Sequence, residues 1–139
     1  MRMASHSRMV GKRLPLPLAL AALLVGIPLA SHAAELGMLD TLTKGAWNLR
    51  IRDDGSEQRI CLRDGRELIQ LRHKQPGCSR FVVQDGADEV VVQYTCRGNG
   101  YGRTSIRRES NGLVQVQSQG IIDGAPFSIS GEARHSGSC

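Results

Sequence analysis

Glu89-Val90-Val91-Val92-Gln93-Tyr94-Thr95-Cys96 is the stretch from which the fold can be read. Side chains of an extended chain alternate between faces, so Val90, Val92, Tyr94 and Cys96 share one side and Glu89, Val91, Gln93 and Thr95 the other. β-Branched and aromatic side chains suit a pleated, half-buried surface, which predicts a central strand. The cysteine at its end offers an anchor for a covalent tie.

The flanking segments repeat this alternation between turn signals. Ser79 to Gln84 carries Phe81 and Val83 in register and meets Asp85-Gly86. Beyond Cys96, the run Gly98-Asn99-Gly100-Tyr101-Gly102 turns the chain. Arg103 to Glu109 then puts Thr104 and Ile106 on one face, and Ser110-Asn111-Gly112 forms a hairpin turn. Leu113 to Gln119 alternates Val114 and Val116 with Gln115, Gln117 and Gln119, and Pro126 to Arg134 alternates Phe127, Ile129 and Ala133 with polar residues. Upstream, Trp47, Leu49 and Ile51 alternate with Asn48, Arg50 and Arg52; Asp53-Asp54-Gly55 turns the chain into Gln58 to Leu62. Asp64 is placed to cap a helix over Arg66 to His73, with Leu68, Ile69 and Leu71 as its apolar stripe, and Gln75-Pro76-Gly77 stops it. These signals predict a mainly β fold with a minor α part. The expected architecture is an antiparallel meander sheet of about six to seven strands, curled or half-barrel, with one short helix between Cys61 and Cys78.

The first residues read differently. Met1 to Arg13 carries Arg2, Arg8, Lys12 and Arg13 without an acid; Leu14 to Ala30 is a 17-residue apolar run, and Ser31-His32-Ala33 supplies small residues before a cleavage point. Residues 1–33 are therefore expected to be a secretory signal peptide, 34–44 an N-terminal tether and 45–139 a single β-rich domain. The apolar run contains Pro15, Pro17, Gly26 and Pro28 and falls short of the ~20 residues that span a bilayer, so no transmembrane segment is expected after the leader. Four of the 18 Lys and Arg and none of the 13 Asp and Glu lie in the leader, so the remaining chain carries a net charge near +1. That excludes the strongly basic footprint of a nucleic-acid partner.

Cys61, Cys78, Cys96 and Cys139 all follow the leader, an even count that predicts disulfides in an oxidising compartment. The five aromatic residues Trp47, Phe81, Tyr94, Tyr101 and Phe127 make a thin core, for which such ties matter most. Four cysteines allow three connectivities. Cys61 with Cys78 and Cys96 with Cys139 is preferred because each pair brackets a contiguous unit.

Other chemistry is weakly supported. His135 and Cys139, or His73 and Cys78, have spacings a metal could use, but there is no Cys-x-x-Cys pair and no metal is expected. Both histidines are expected to be solvated. The glycine-rich run at 98–102 lacks the dinucleotide spacing and precedes a strand, so no cofactor is expected. There is no Gly-x-Ser-x-Gly nucleophile motif, and no catalytic residue is assigned. Arg97, Arg103, Arg107 and Arg108 could form a basic strip for an anionic lipid or glycan, although such charges also guard sheet edges. The glutamine ladder reads as a wet sheet face.

Gly45-x-Trp47 opens a strand, Cys61 precedes a short helix, Cys78 follows it, Cys96 ends a valine-rich strand, and glycine-rich hairpins lead to Cys139. In this pattern the chain resembles the small exported proteins of Gram-negative bacteria grouped as domain of unknown function 3617, over nearly all of the sequence after the leader. It departs from them in its short Asp53 to Gln58 turn, where they carry a longer Met- and Pro-rich insert. The resemblance implies an envelope location, periplasmic or secreted, and supplies no reaction or substrate. A non-enzymatic binding or structural module is expected, with an envelope protein or a small ligand as its partner. The alternatives are a carrier whose β cup holds an apolar ligand between Val90, Val92, Val114, Val116, Phe127 and Ile129, and a thiol- or metal-binding protein.

Overall fold

The computed structural model describes residues 35–139; the expected signal peptide lies outside them. Seven strands form one open antiparallel sheet: β1 (Gly45–Ile51), β2 (Glu57–Leu62), β3 (Ser79–Asp85), β4 (Glu89–Cys96), β5 (Gly100–Ser110), β6 (Leu113–Ile122) and β7 (Ala125–Gly137). Their spatial order is β2-β1-β7-β6-β5-β4-β3, so the chain meanders from β3 to β7 and the first hairpin then adds its β1 strand to β7. That non-sequential contact departs from a pure meander. It follows from Trp47 and Leu49 sharing the apolar face: beside β7, Leu49 stands opposite Ala133 and both are fully buried.

The quoted stretch is central as expected. Val90, Val92, Tyr94 and Cys96 are buried, and β4 is hydrogen-bonded on both sides, to β3 and β5. Thr104 and Ile106 of β5, Val114, Val116 and Ser118 of β6, and Ile129 and Ala133 of β7 continue the same face. β3 is the exception: Phe81 and Val83 are exposed (69% and 42%), while Val82 packs against the core. The register is the reason: Phe81 lies opposite outward-facing Gln93 and Val82 opposite buried Val92, and a bulge between Val82 and Gln84 then sets Val83 out of the ladder.

The covering layer departs further from expectation. The helix expected over Arg66 to His73 is one 3-10 turn, Arg66–Leu68. Asp64 Oδ1 does accept the Arg66 backbone N–H, but after Ile69 burial switches to period two: Leu71 and His73 are inside, Arg72 and Lys74 outside. Extended chain buries that pattern and helix does not. Nor is 34–44 a simple tether. A short α-turn, Gly37–Asp40, places Leu36, Met38, Leu39 and Leu42 in the core. These segments seal the apolar face: Leu68 and Ile69 are fully buried, and Thr104 Oγ1 of β5 donates to the Ile69 carbonyl at 2.7 Å.

The preferred cysteine pairing is corrected. Cys61 is bonded to Cys139 and Cys78 to Cys96. Strand register is the reason. Ser79 lies opposite Thr95, so Cys78 and Cys96 meet as the next pair across β3 and β4, with Cα atoms 4.4 Å apart. Cys61 lies opposite Ala46, which on its other side faces Gly137, so a chain continuing past β7 reaches Cys61 across the end of β1. Spans of 78 and 18 residues correspond to about 4.5 and 3 kcal/mol of lost unfolded-state freedom in the chain-entropy treatment. Non-reducing peptide mapping should therefore recover fragments linking Cys61 to Cys139 and Cys78 to Cys96. In denaturant titration, Cys61→Ser with Cys139→Ser should destabilise the protein more than Cys78→Ser with Cys96→Ser; the reverse order would contradict the account.

Candidate functional site: a charged cleft between the sheet edges

β2 and β3 are the free edges of the sheet, yet Gln58 and Ile60 of β2 and Arg80 of β3 line one cleft. The sheet therefore curves until its edges flank a common space, as the expected half-barrel requires. The connection from Arg63 to Cys78 forms the rest of the wall, and the cleft, open to solvent, has a volume of about 710 Å³. That lies within the range of small-molecule sites, roughly 300–1,000 Å³.

Its walls set amides and charges beside Ile60, Leu71, Pro76 and Cys78. Glu67 Oε1 accepts from both the backbone N–H and Nε of Arg63, each at 3.1 Å, and its Oε2 is buried without a protein partner. Burial pushes the Glu67 carboxyl up, but the backbone N–H donors and Arg63 outweigh this and hold it below its ordinary range. Arg66 is bound to Asp40 at 2.7 Å, with Asp64 also in reach; that hydrogen bond raises the guanidinium and lowers the carboxyl of Asp40. Arg80 donates from Nε and Nη2 to Gln70 Oε1, at 3.0 and 2.7 Å. Neither Arg80 nor Lys74 pairs with a carboxylate among the described residues.

A second polar group lies beneath the covering layer. His73, expected in solvent, is 1% exposed. Its ring packs edge-on against Tyr94 and Phe127, and its Nδ1 lies 3.0 Å from Tyr94 Oη. The correction has a local cause: the short 3-10 turn lets the chain run extended into the core, so position 73 points inward with Leu71. Burial pushes the Tyr94 phenol up, and a hydrogen bond with Ser118 pulls it partly back. Ser118 Oγ is 2.8 Å from Thr104 Oγ1, which is bound to the Ile69 carbonyl. The resulting set of His, Tyr, Ser and Thr has nucleophilic atoms, but Ser118 and Thr104 are 3% and 0% exposed and engaged with each other. Room for the phenol comes from Gly102, directly opposite Tyr94, where an added Cβ would strike Oη.

The other residues singled out by sequence are dispersed. The four cysteines are all in disulfides, which removes Cys139 and Cys78 from any ligand set with His135 or His73. No cluster of three or more metal-ligating side chains occurs among the described residues. The glycine-rich turn is shorter than expected, because β5 already begins at Gly100. The basic strip does not form as one surface: Arg108 is tied to Asp88 at 2.7 Å, while Arg107 stands opposite Glu89 and binds Glu109. On the outer face the register aligns Glu89, Arg107, Gln115, Glu132 and Arg50, an alternation of charge across five strands. Gln115 and Arg134 both bond Glu132 and hold its carboxyl below the ordinary range.

The chain matches no family model, no curated protein and no solved structure. The cleft residues Gln70, Lys74 and Arg80 were not singled out by sequence. Gln70 and Arg80 are ten positions apart, and only the return of β3 beside the loop brings them together. A polar loop with isolated charges gives no periodic signal that separates a site from ordinary surface.

Three outcomes are expected of this geometry. Tyr94→Phe removes the partner of a buried imidazole nitrogen and should cost about 1–3 kcal/mol in denaturant unfolding. Gly102→Ala should cost a similar ~1–3 kcal/mol through overpacking. Glu67, whose folded carboxyl is held below its ordinary 4.5, contributes stability that is present above that pH and lost as pH falls through the folded value. The melting-temperature gap between wild type and Glu67→Gln should accordingly be widest at neutral pH and close in acid; a constant gap would rule out the carboxylate as its source.

Proposed function

We propose that the protein is an exported, disulfide-stapled module of the cell envelope that acts by binding, not by catalysis, through the cleft between its sheet edges. The observation that carries this reading is that Lys74 and Arg80, neither paired with a carboxylate among the described residues, both line a ligand-sized cleft. The Arg80 guanidinium, bonded to the neutral Gln70 amide, keeps its charge and further donors for an anionic partner. Export is supported by the leader pattern and by two disulfides, which suit an oxidising location. The resemblance to the exported domain of unknown function 3617 proteins points to the same place. No helix among the described residues is long and apolar enough to cross a membrane.

A β cup for an apolar ligand is less well supported. Val90, Val92, Val114 and Val116 are fully buried in a core cluster shared with Leu39, Leu68 and Ile69, so the space beneath them is filled by the chain's own side chains. Catalysis by Ser118 or Thr104 would require the covering layer to leave.

Expression of the full chain in a Gram-negative host tests the address. The mature protein should be recovered from the periplasm with no thiol reactive in denaturant. Recovery of a folded, thiol-bearing protein from the cytosol would overturn the reading. Affinity capture from envelope extract with wild type and with Lys74→Glu/Arg80→Glu tests the binding role: material retained by the first should be lost from the second.

A further inference from the structure

Arg80 shows how its ligand would be recognised. Gln70 Oε1 occupies one edge of the guanidinium, through Nε and Nη2, and fixes the plane of the group. Arginine has five N–H donors in a rigid fork, so the end formed by Nη1 and Nη2 keeps donors for a further acceptor. That end suits two oxygens of a carboxylate or phosphate. Lys74, on the same cleft, adds a mobile positive charge with three donors. The remaining groups ask for different chemistry. The amides of Gln58 and Gln75 offer both donors and acceptors. Those groups are satisfied by hydroxyls, not by apolar surface.

We propose that the cleft binds a hydroxylated small molecule carrying an oxyanion, of the class of sugar acids and sugar phosphates. Arg80 and Lys74 take the anion, and the amides of Gln58 and Gln75 take hydroxyls. Gln70 is a positioning residue that acts through Arg80. This inference rests on the cleft being the binding site, and it adds the ligand class.

The test titrates purified, disulfide-intact protein with glucuronate, inorganic phosphate and glucose, followed by amide chemical shifts. Glucuronate and phosphate should perturb residues around Lys74 and Arg80 with dissociation constants of about millimolar order, and glucose should bind at least about tenfold more weakly. Arg80→Gln and Lys74→Gln should each weaken glucuronate by about tenfold or more, with unchanged melting temperature. Arg103→Gln, on the opposite face of the sheet, should leave it unchanged. Gln70→Leu should weaken binding while leaving the salt dependence set by two cations intact. Vesicles containing an anionic phospholipid separate the two sources of the oxyanion. Arg80-dependent vesicle binding without a response to soluble anions identifies a headgroup as the ligand and keeps the oxyanion assignment. Equal binding of glucose and glucuronate, equal losses in Arg80→Gln and Arg103→Gln, or no perturbation by any anion or vesicle would overturn it. Envelope capture that still depends on the cleft would, in that case, leave the broader binding role standing.

Discussion

An open, curved sheet with one apolar face must have that face covered, and here the chain covers it from its own connections. The contact on which this depends is the seating of Leu68 and Ile69, both fully buried, with the Ile69 carbonyl fixed by Thr104. Each side chain of this size contributes roughly 1.5–3 kcal/mol on burial, but its backbone brings polar groups with it. A buried carbonyl without a donor would cost a comparable amount, so the hydroxyl of Thr104 is what makes the plug compatible with the core. Thr104 and Ser118 thus occupy positions on the apolar face where valine would otherwise fit, because the face must receive backbone as well as side chains.

The disulfides act on the same constraint from outside. The covering connection runs from β2 to β3, the two free edges, and Cys61 and Cys78 stand at its two ends. Had those cysteines joined each other, the loop would have been closed on itself and left free of the sheet. Instead Cys78 is tied to β4 and Cys61 to the segment beyond β7, so each end is anchored to a different part of the sheet. Each edge strand that flanks the cleft is thereby stapled to its near neighbours in the sheet.

The strands were legible in the sequence because period-two alternation between Gly, Asn and Asp turns reflects a physical requirement that one face be dry. All seven expected segments are strands, and Val90, Val92, Tyr94 and Cys96 are buried as the alternation implies. Three features were not legible, for one common reason. Whether Phe81 faces solvent, whether His73 is buried and which cysteines meet are decided by contacts distant in sequence. The stripe Leu68, Ile69, Leu71 reads as one helical face; Leu68 and Ile69 do sit in a 3-10 turn and at its end, and only beyond them does the chain run extended against the sheet. His73 follows Leu71 inward at a two-residue spacing. Of the candidate site, the cleft-lining charges were visible only as unremarkable polar loop residues.

The position of the cleft has its own logic. Free strand edges expose backbone donors and acceptors, and charged side chains there discourage pairing with another chain. β3 needs such protection, since it carries exposed Phe81 and Val83. A bulge and a freely moving arginine would suffice. Arg80 instead spends two donors on Gln70, giving up side-chain freedom that edge protection does not require. The same amide could have bonded water at no such cost. On the proposed binding role, a guanidinium bonded to an amide beside a ligand-sized cleft, and left without a carboxylate, serves what approaches the edge as well as guarding it.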